Sequence, residues 1–174
     1  MGRTLLLTGR PGIGKTTVIK EVVRALGPQA GGFYTEEIRG PGGRKGFRLV
    51  TLEGEEAVLS HVDFRGPCYP RVGRYGVDVE TFSRVGVGAL RRAMQARRIV
   101  IIDEIGKMEL FSGPFKETVL QAVSGPYTVV ATIMAKPHPW ADALKQLPTV
   151  TLWELTLENR DRMQEEVRRW VREG

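Results

Sequence analysis

Cysteine is almost absent from this chain: Cys68 is the only one in 174 residues. No internal disulfide and no Cys-rich metal site can form, which fits a reducing cytoplasm. No apolar stretch approaches the roughly 20 residues that cross a bilayer. The first strand-like run begins at once, with no cationic leader and cleavage site before it. A soluble, cytoplasmic protein without a membrane partner is expected. Aromatic residues make up only 7% of the chain, and they do not interleave with the basic residues as stacking platforms for bases would. No internal repeat or low-complexity tract occurs.

What is present is enough for one core: 174 residues, 41% hydrophobic, bury a sizeable interior but not two ordinary ones, so residues 1–174 are read as a single domain. The formal charge of +6 invites a nucleic-acid reading. The basic residues are spread along the chain, from Arg39–Arg48 to Arg160–Arg172. That distribution favours solvated faces and attraction for anionic nucleotides over a nucleic-acid partner.

Periodicity changes twice along the chain. A strand over Thr4–Thr8 leads into helical spacing of Val18, Ile19, Val22, Val23 and Leu26, closed by Gly27-Pro28. Alternating runs Gly32–Arg39, Gly46–Leu52 and Ala57–Leu59, joined by Gly turns, predict an antiparallel β-meander inserted into an α/β chain. His61–Val77, rich in Pro, Gly and Arg, reads as a long loop, a natural substrate-covering element. Val79–Ala96 is helical, with Gly86 and Gly88 implying either close packing or a break. Strands at Ile99–Ile102, Thr128–Ile133 and Val150–Leu155 then alternate with helices at Pro114–Val123, Pro139–Leu147 and Leu157–Val171. That alternation predicts an α/β fold with a mainly parallel sheet covered on both faces. Ligands in such folds bind beyond the carboxyl ends of the strands.

Two motifs stand at those ends. Gly9-Arg10-Pro11-Gly12-Ile13-Gly14-Lys15-Thr16 lies between the first strand and the first helix, the setting a phosphate-binding P-loop requires. Glycines let successive backbone N–H groups turn inward around a polyphosphate, Lys15 adds positive charge near the β- and γ-phosphates, and the Thr16 hydroxyl can ligate Mg²⁺. Residues Gly9, Arg10, Pro11, Gly12, Ile13, Gly14, Lys15, Thr16 and Thr17 are therefore assigned to the nucleotide. The apolar strand Ile99–Ile102 ends in Asp103-Glu104, the form of a Walker-B strand: Asp103 holds the metal and Glu104 orients or deprotonates the attacking water. Glu109 is the other candidate for that base, because Gly106-Lys107 can fold the segment back over the site.

Other positions complete the reading. Arg71 and Arg74 are candidates to fold over the nucleotide as arginine fingers do, against plain surface solubility. Thr132 is either a γ-phosphate sensor or a buried strand threonine. Asn159 and Arg160 border the nucleobase, with Arg160 stacking on its face, or simply begin a helix. The guanine-specifying Asn/Thr-Lys-x-Asp motif is missing, which counts against a regulatory GTPase despite Asp103-Glu104-Ile105-Gly106. The dinucleotide fingerprint fails at Thr17.

Together with Phe33–Arg39, Gly46-Phe47, Pro70–Asp78, Asp103–Glu109 and Asn159–Asp161, these motifs resemble the P-loop nucleoside-triphosphatase family, which has thermophilic bacterial and archaeal members and a human cancer-related one. The resemblance spans nearly the whole chain. It implies a three-layer P-loop NTPase fold of RecA-like or kinase-like type, and slow Mg²⁺-dependent hydrolysis of ATP, GTP and other nucleoside triphosphates; a monomer is expected. It also implies phosphate, metal and base roles for Lys15, Thr16, Asp103 and Glu104. Two rivals remain: a nucleotide or nucleoside kinase, in which the meander and long loop bind an acceptor, and a nucleic-acid-stimulated ATPase or binding module.

Overall fold

Alternation along three short apolar strands builds the centre of the molecule. In β1 (Arg3–Thr8) Leu5 and Leu7 face one side of the sheet and Leu6 the other; in β7 (Ile99–Ile105) Ile101 joins the first set, Val100 and Ile102 the second. In β8 (Thr128–Ile133) Val130 opposes Val129 and Ala131 in the same way. Strands apolar on both faces need cover on both.

The computed structural model describes residues 1–174. Its other elements are α1 (Lys15–Leu26), β2 (Ala30–Gly40), β3 (Gly43–Thr51), β4 (Glu56–His61), β5 (Arg71–Val72), β6 (Tyr75–Val77), α2 (Val79–Gln95), α3 (Gly113–Ser124), α4 (Pro139–Lys145), β9 (Val150–Glu154) and α5 (Arg160–Arg172). One sheet runs in the order β5-β6-β4-β3-β2-β7-β8-β1-β9. From β2 to β9 every pairing is parallel; from β2 outward to β5 every pairing is antiparallel. Helices α1 and α5 cover Leu5, Leu7 and Ile101 through Ile19, Val22, Met163 and Val167. The opposite face is covered by α2 and α3, where Phe33, Phe82 and Phe115 form a ring cluster with centroids 5.1–6.3 Å apart. No helix is long and apolar enough to cross a membrane.

The expected antiparallel β-meander is present as β2–β4, and it continues the central sheet, because β2 pairs parallel with β7 through Ala30–Phe33 and antiparallel with β3 beyond. Two expectations change. The segment 61–77 is not all loop, because β5 and β6 form a small hairpin held to β4 through Ser60↔Val77. Strands of two and three residues are too short to show alternation. The last helix begins at Arg160 rather than Leu157, since Asn159 closes the preceding turn, accepting from the Thr156 amide at 2.8 Å and donating to the Glu154 carbonyl at 2.8 Å. Helix α2, by contrast, runs unbroken through its glycines. Close packing is the reason at Gly86, where a Cβ would stand 2.9 Å from the Phe82 ring.

Candidate functional site

The loop from Gly9 to Gly14 joins β1 to α1 at the carboxyl end of the parallel strands. Gly12 and Gly14 have φ of +79° and +114°, and a side chain there would meet nothing within 4 Å. Glycine is required by the backbone turn and not by crowding. The first turn of α1 has no side-chain cap and no acidic residue, so its leading N–H groups and the positive end of its dipole are left for an anion.

Lys15 turns back over this loop. Its Nζ donates to the Gly9 carbonyl at 2.6 Å and lies 3.8 Å from Glu104 Oε2. Beneath it, the Thr16 hydroxyl donates to Asp103 Oδ2 at 2.9 Å. Asp103 is 1% exposed and is further held by the Thr132 hydroxyl at 2.7 Å and the Thr35 amide at 3.3 Å. Burial raises the Asp103 pKa above the ordinary carboxylate value, opposed by these donors and by the Lys15 charge. A carboxylate fixed on both oxygens beside a hydroxyl is a set of hard oxygen donors. Thr132, fully buried, serves that carboxylate and not the cleft.

Glu104 keeps a third of its side chain exposed (33%) and faces the cleft. Burial raises its pKa, Lys15 pulls it down, and the Asp103 charge raises it again. Glu109 is a different case. It is buried behind Glu104: a Cβ on Gly106 would sit 2.6 Å from Glu104 Oε1 and 3.2 Å from Glu109 Oε2. Its carboxyl does not line the cleft, so the geometry favours Glu104 over Glu109 for contact with a bound ligand. Burial, and then the Glu104 charge, hold the Glu109 pKa well above the ordinary value.

A stability prediction follows from Glu109. Because its folded pKa exceeds the unfolded one, the native state holds the extra proton, and stability falls as pH rises from about 4.3. Glu109→Gln keeps the shape of the neutral acid and removes this penalty. The variant should melt above the parent at neutral pH, by about 2–4 °C per kcal/mol recovered, with a flatter pH dependence. Calorimetry from pH 5 to 8 checks it; an unchanged slope would rule the explanation out.

The cleft bounded by these groups has a volume of about 790 Å³. Gly9, Pro11, Gly12, Gly14, Lys15, Thr16 and Thr17 line one part of it. Ile13 turns its side chain into the core and Arg10 into solvent. Arg160 is exposed and reaches the loop from behind, donating to the Ile13 carbonyl at 3.4 Å. Arg71 and Arg74 do not fold over the cleft: Arg71 donates to the carbonyls of Phe64 and Arg74, and Arg74 to that of Arg44. These bonds close hairpin β5–β6 and tie it to Phe64 and to β3. The cations and ring that do line the cleft, besides Lys15, are Lys20, Arg44, Lys107, Lys136 and Phe47. Lys20 comes from α1, Arg44 and Phe47 from β3, and Lys107 and Lys136 from the segments after β7 and β8, a convergence that spacing could not reveal; only Phe47 and Lys107 fall in motifs that had already stood out.

A family model described as NTPase matches residues 4–168. Nucleoside-triphosphatase THEP1 of Thermotoga sp. (strain RQ2) is 45% identical over 163 residues, covering 94% of this chain and 92% of the relative. The crystal structure of THEP1 from the hyperthermophile Aquifex aeolicus superposes with a TM-score of 0.86 at 42% identity, over 94% of this chain and 96% of that one. The solution structure of a human cancer-related nucleoside triphosphatase does so with a TM-score of 0.84 at 38% identity, over 99% and 98%. Likeness of sequence and fold over nearly the full length, around an intact phosphate loop, places this chain in the P-loop nucleoside-triphosphatase family.

Proposed function

We propose that this protein hydrolyses nucleoside triphosphates to diphosphate and inorganic phosphate in a Mg²⁺-dependent reaction. The observation that carries the reading is the meeting, in one cleft, of an uncapped glycine loop, Lys15 and the Glu104 carboxylate, with the Thr16–Asp103 pair at its base. The oxygen donors fit magnesium, which binds through one or two carboxylates plus substrate phosphates and keeps several waters. Thr16 and Asp103 are the residues that would hold it. The chemistry supplied by an ion so held is neutralisation of charge on the β- and γ-phosphate oxygens.

The remaining work falls to the chain. Loop amides from Gly12 to Thr16 bind the triphosphate, and Lys15 leaves the Gly9 carbonyl to meet the γ-phosphate. Glu104 then orients a water in line with the bond to be broken and accepts its proton as the new oxygen–phosphorus bond forms. Thr132 and Thr35 keep Asp103 from turning away. One chain supplies all of these groups, which supports action as a monomer, and the lone cysteine supports a cytoplasmic setting.

Phosphate release from ATP, GTP, CTP and UTP, measured without any acceptor, tests the proposal. Release is expected with Mg²⁺ and should stop with EDTA. No release from any of them in Mg²⁺ would overturn it.

A further inference from the structure

Negative charge gathers on a phosphoryl group in transfer, and a cation aimed at it, such as an arginine finger, lowers the barrier. Arg71 and Arg74 cannot supply that cation while their guanidinium groups are held by backbone carbonyls. Of the cations that line the cleft, Lys15 belongs to the phosphate loop. Lys20 is paired with Glu36 at 2.7 Å, and Arg44 is held by Glu37 at 3.2 Å and by the Tyr75 hydroxyl at 2.8 Å. Lys107 and Lys136 have no acidic partner.

Sheet order separates these two. The phosphate loop leaves β1, Glu104 lies near the end of β7, and β8 stands between them. Parallel pairing keeps the three strand ends level, with Leu7 opposite Thr132 and Ile105 opposite Ile133. What leaves β8 therefore emerges between Lys15 and Glu104, where a γ-phosphate must sit for Glu104 to aim a water at it. Lys136 follows β8 by three residues, whereas Lys107 leaves β7 itself, beyond Glu104. The turn that carries Lys136 is also fixed. The Met134 amide donates to the Ile105 carbonyl at 3.0 Å, and the Met134 carbonyl accepts from Lys145 Nζ at 2.9 Å. Beyond Lys136, Pro137 and Pro139 flank His138, whose Nδ1 accepts from the Trp140 amide at 3.2 Å and caps α4. A cation on a braced turn needs little reorganisation at the moment of reaction.

We propose that Lys136 is a further catalytic residue, the cation that meets the γ-phosphate from the β8 side while its bond to the β–γ bridging oxygen breaks. The inference rests on the hydrolytic reading above. The water oxygen bonds to the γ-phosphorus, its proton passes to Glu104, and the nucleoside diphosphate leaves with the bridging oxygen. Lys136 and Lys15 share the negative charge on the transferring oxygens. The role for which Arg71 and Arg74 were candidates thus falls to a lysine of the same chain.

The experiment compares turnover with two affinities in Mg²⁺. Lys136→Ala should lower kcat for ATP by about 10²-fold or more, the loss that follows removal of one donor aimed at developing charge. Affinity for the β,γ-imido analogue should stay within about threefold, because the contact is made chiefly in the transition state. Affinity for ADP with aluminium fluoride, which mimics the transferring group, should fall by about 10²-fold alongside kcat. Lys136→Arg should recover most of the rate and Lys136→Gln none of it. Lys136 is exposed, so the melting temperature should stay within about 2 °C. A parental kcat in Lys136→Ala would overturn the assignment and leave hydrolysis standing. So would a loss shared equally by the imido analogue and the fluoride complex, or the same split appearing in Lys107→Ala in place of Lys136→Ala. Absence of phosphate release by the parent enzyme would instead overturn the hydrolytic reading itself.

Discussion

Lys15→Ala is expected to lower kcat/KM for ATP by about 10²–10³-fold, the loss typical when a donor aimed at developing phosphate or oxyanion charge is removed. Lys15 Nζ rests on the Gly9 carbonyl, 3.8 Å from Glu104 Oε2. Both partners are poorer than a polyanion. A triphosphate on the loop amides therefore draws the ammonium group away from them, and the gain is greatest when charge accumulates on the transferring group. The change should leave the fold intact, because Lys15 is outside both hydrophobic clusters. Steady-state kinetics beside a melting curve separate loss of function from loss of structure. A variant as active as the parent would remove the phosphate loop from the account.

Glu104→Gln should act differently, lowering kcat by about 10²–10⁴-fold, the usual contribution of a positioned general base, while nucleotide affinity changes little. The glutamine keeps the hydrogen-bonding reach but cannot take the water's proton. Calorimetric titration with a non-hydrolysable analogue checks the affinity, and single-turnover hydrolysis checks the rate. Glu109→Gln provides the comparison. It stands behind Glu104 and outside the cleft, so it should shift stability and its pH dependence far more than kcat. If the two variants exchange phenotypes, the proton acceptor is Glu109.

The parts of this molecule that were legible in its sequence are those whose signals are local. Gly12, Gly14, Lys15 and Thr16 declare themselves through spacing, because the phosphate loop is one continuous turn whose residue types each answer a separate requirement. The parallel strands declare themselves through runs such as Ile99–Ile102, apolar on both faces because helices cover both. Asp103 is legible as the end of such a run. Its supports are not: Thr132 comes from a neighbouring strand and the Thr35 amide from another, and only the register of β2, β7 and β8 brings them together.

The same distinction explains what spacing left open. Arg71 and Arg74 stand in a glycine-rich segment, where arginine serves either a phosphate or the surface. Their carbonyl acceptors come from the turn geometry of β5–β6 and from Arg44 across the sheet, which no spacing encodes. Arg44 stands just after a Gly turn, with no motif of its own, yet antiparallel pairing puts it in the cleft. Its placement, with that of Phe47, makes the meander one wall of the cleft that the phosphate loop opens.

The most direct measurement is a crystal structure with Mg²⁺ and the β,γ-imido analogue of ATP. The triphosphate should lie on the amides of Gly12–Thr16 with Lys15 Nζ at the γ-phosphate, the metal beside Thr16 and Asp103, and Glu104 facing the γ-phosphorus from across the cleft. An analogue bound elsewhere with the loop vacant, or one seated on the loop with Glu104 turned away from the phosphate, would contradict the account.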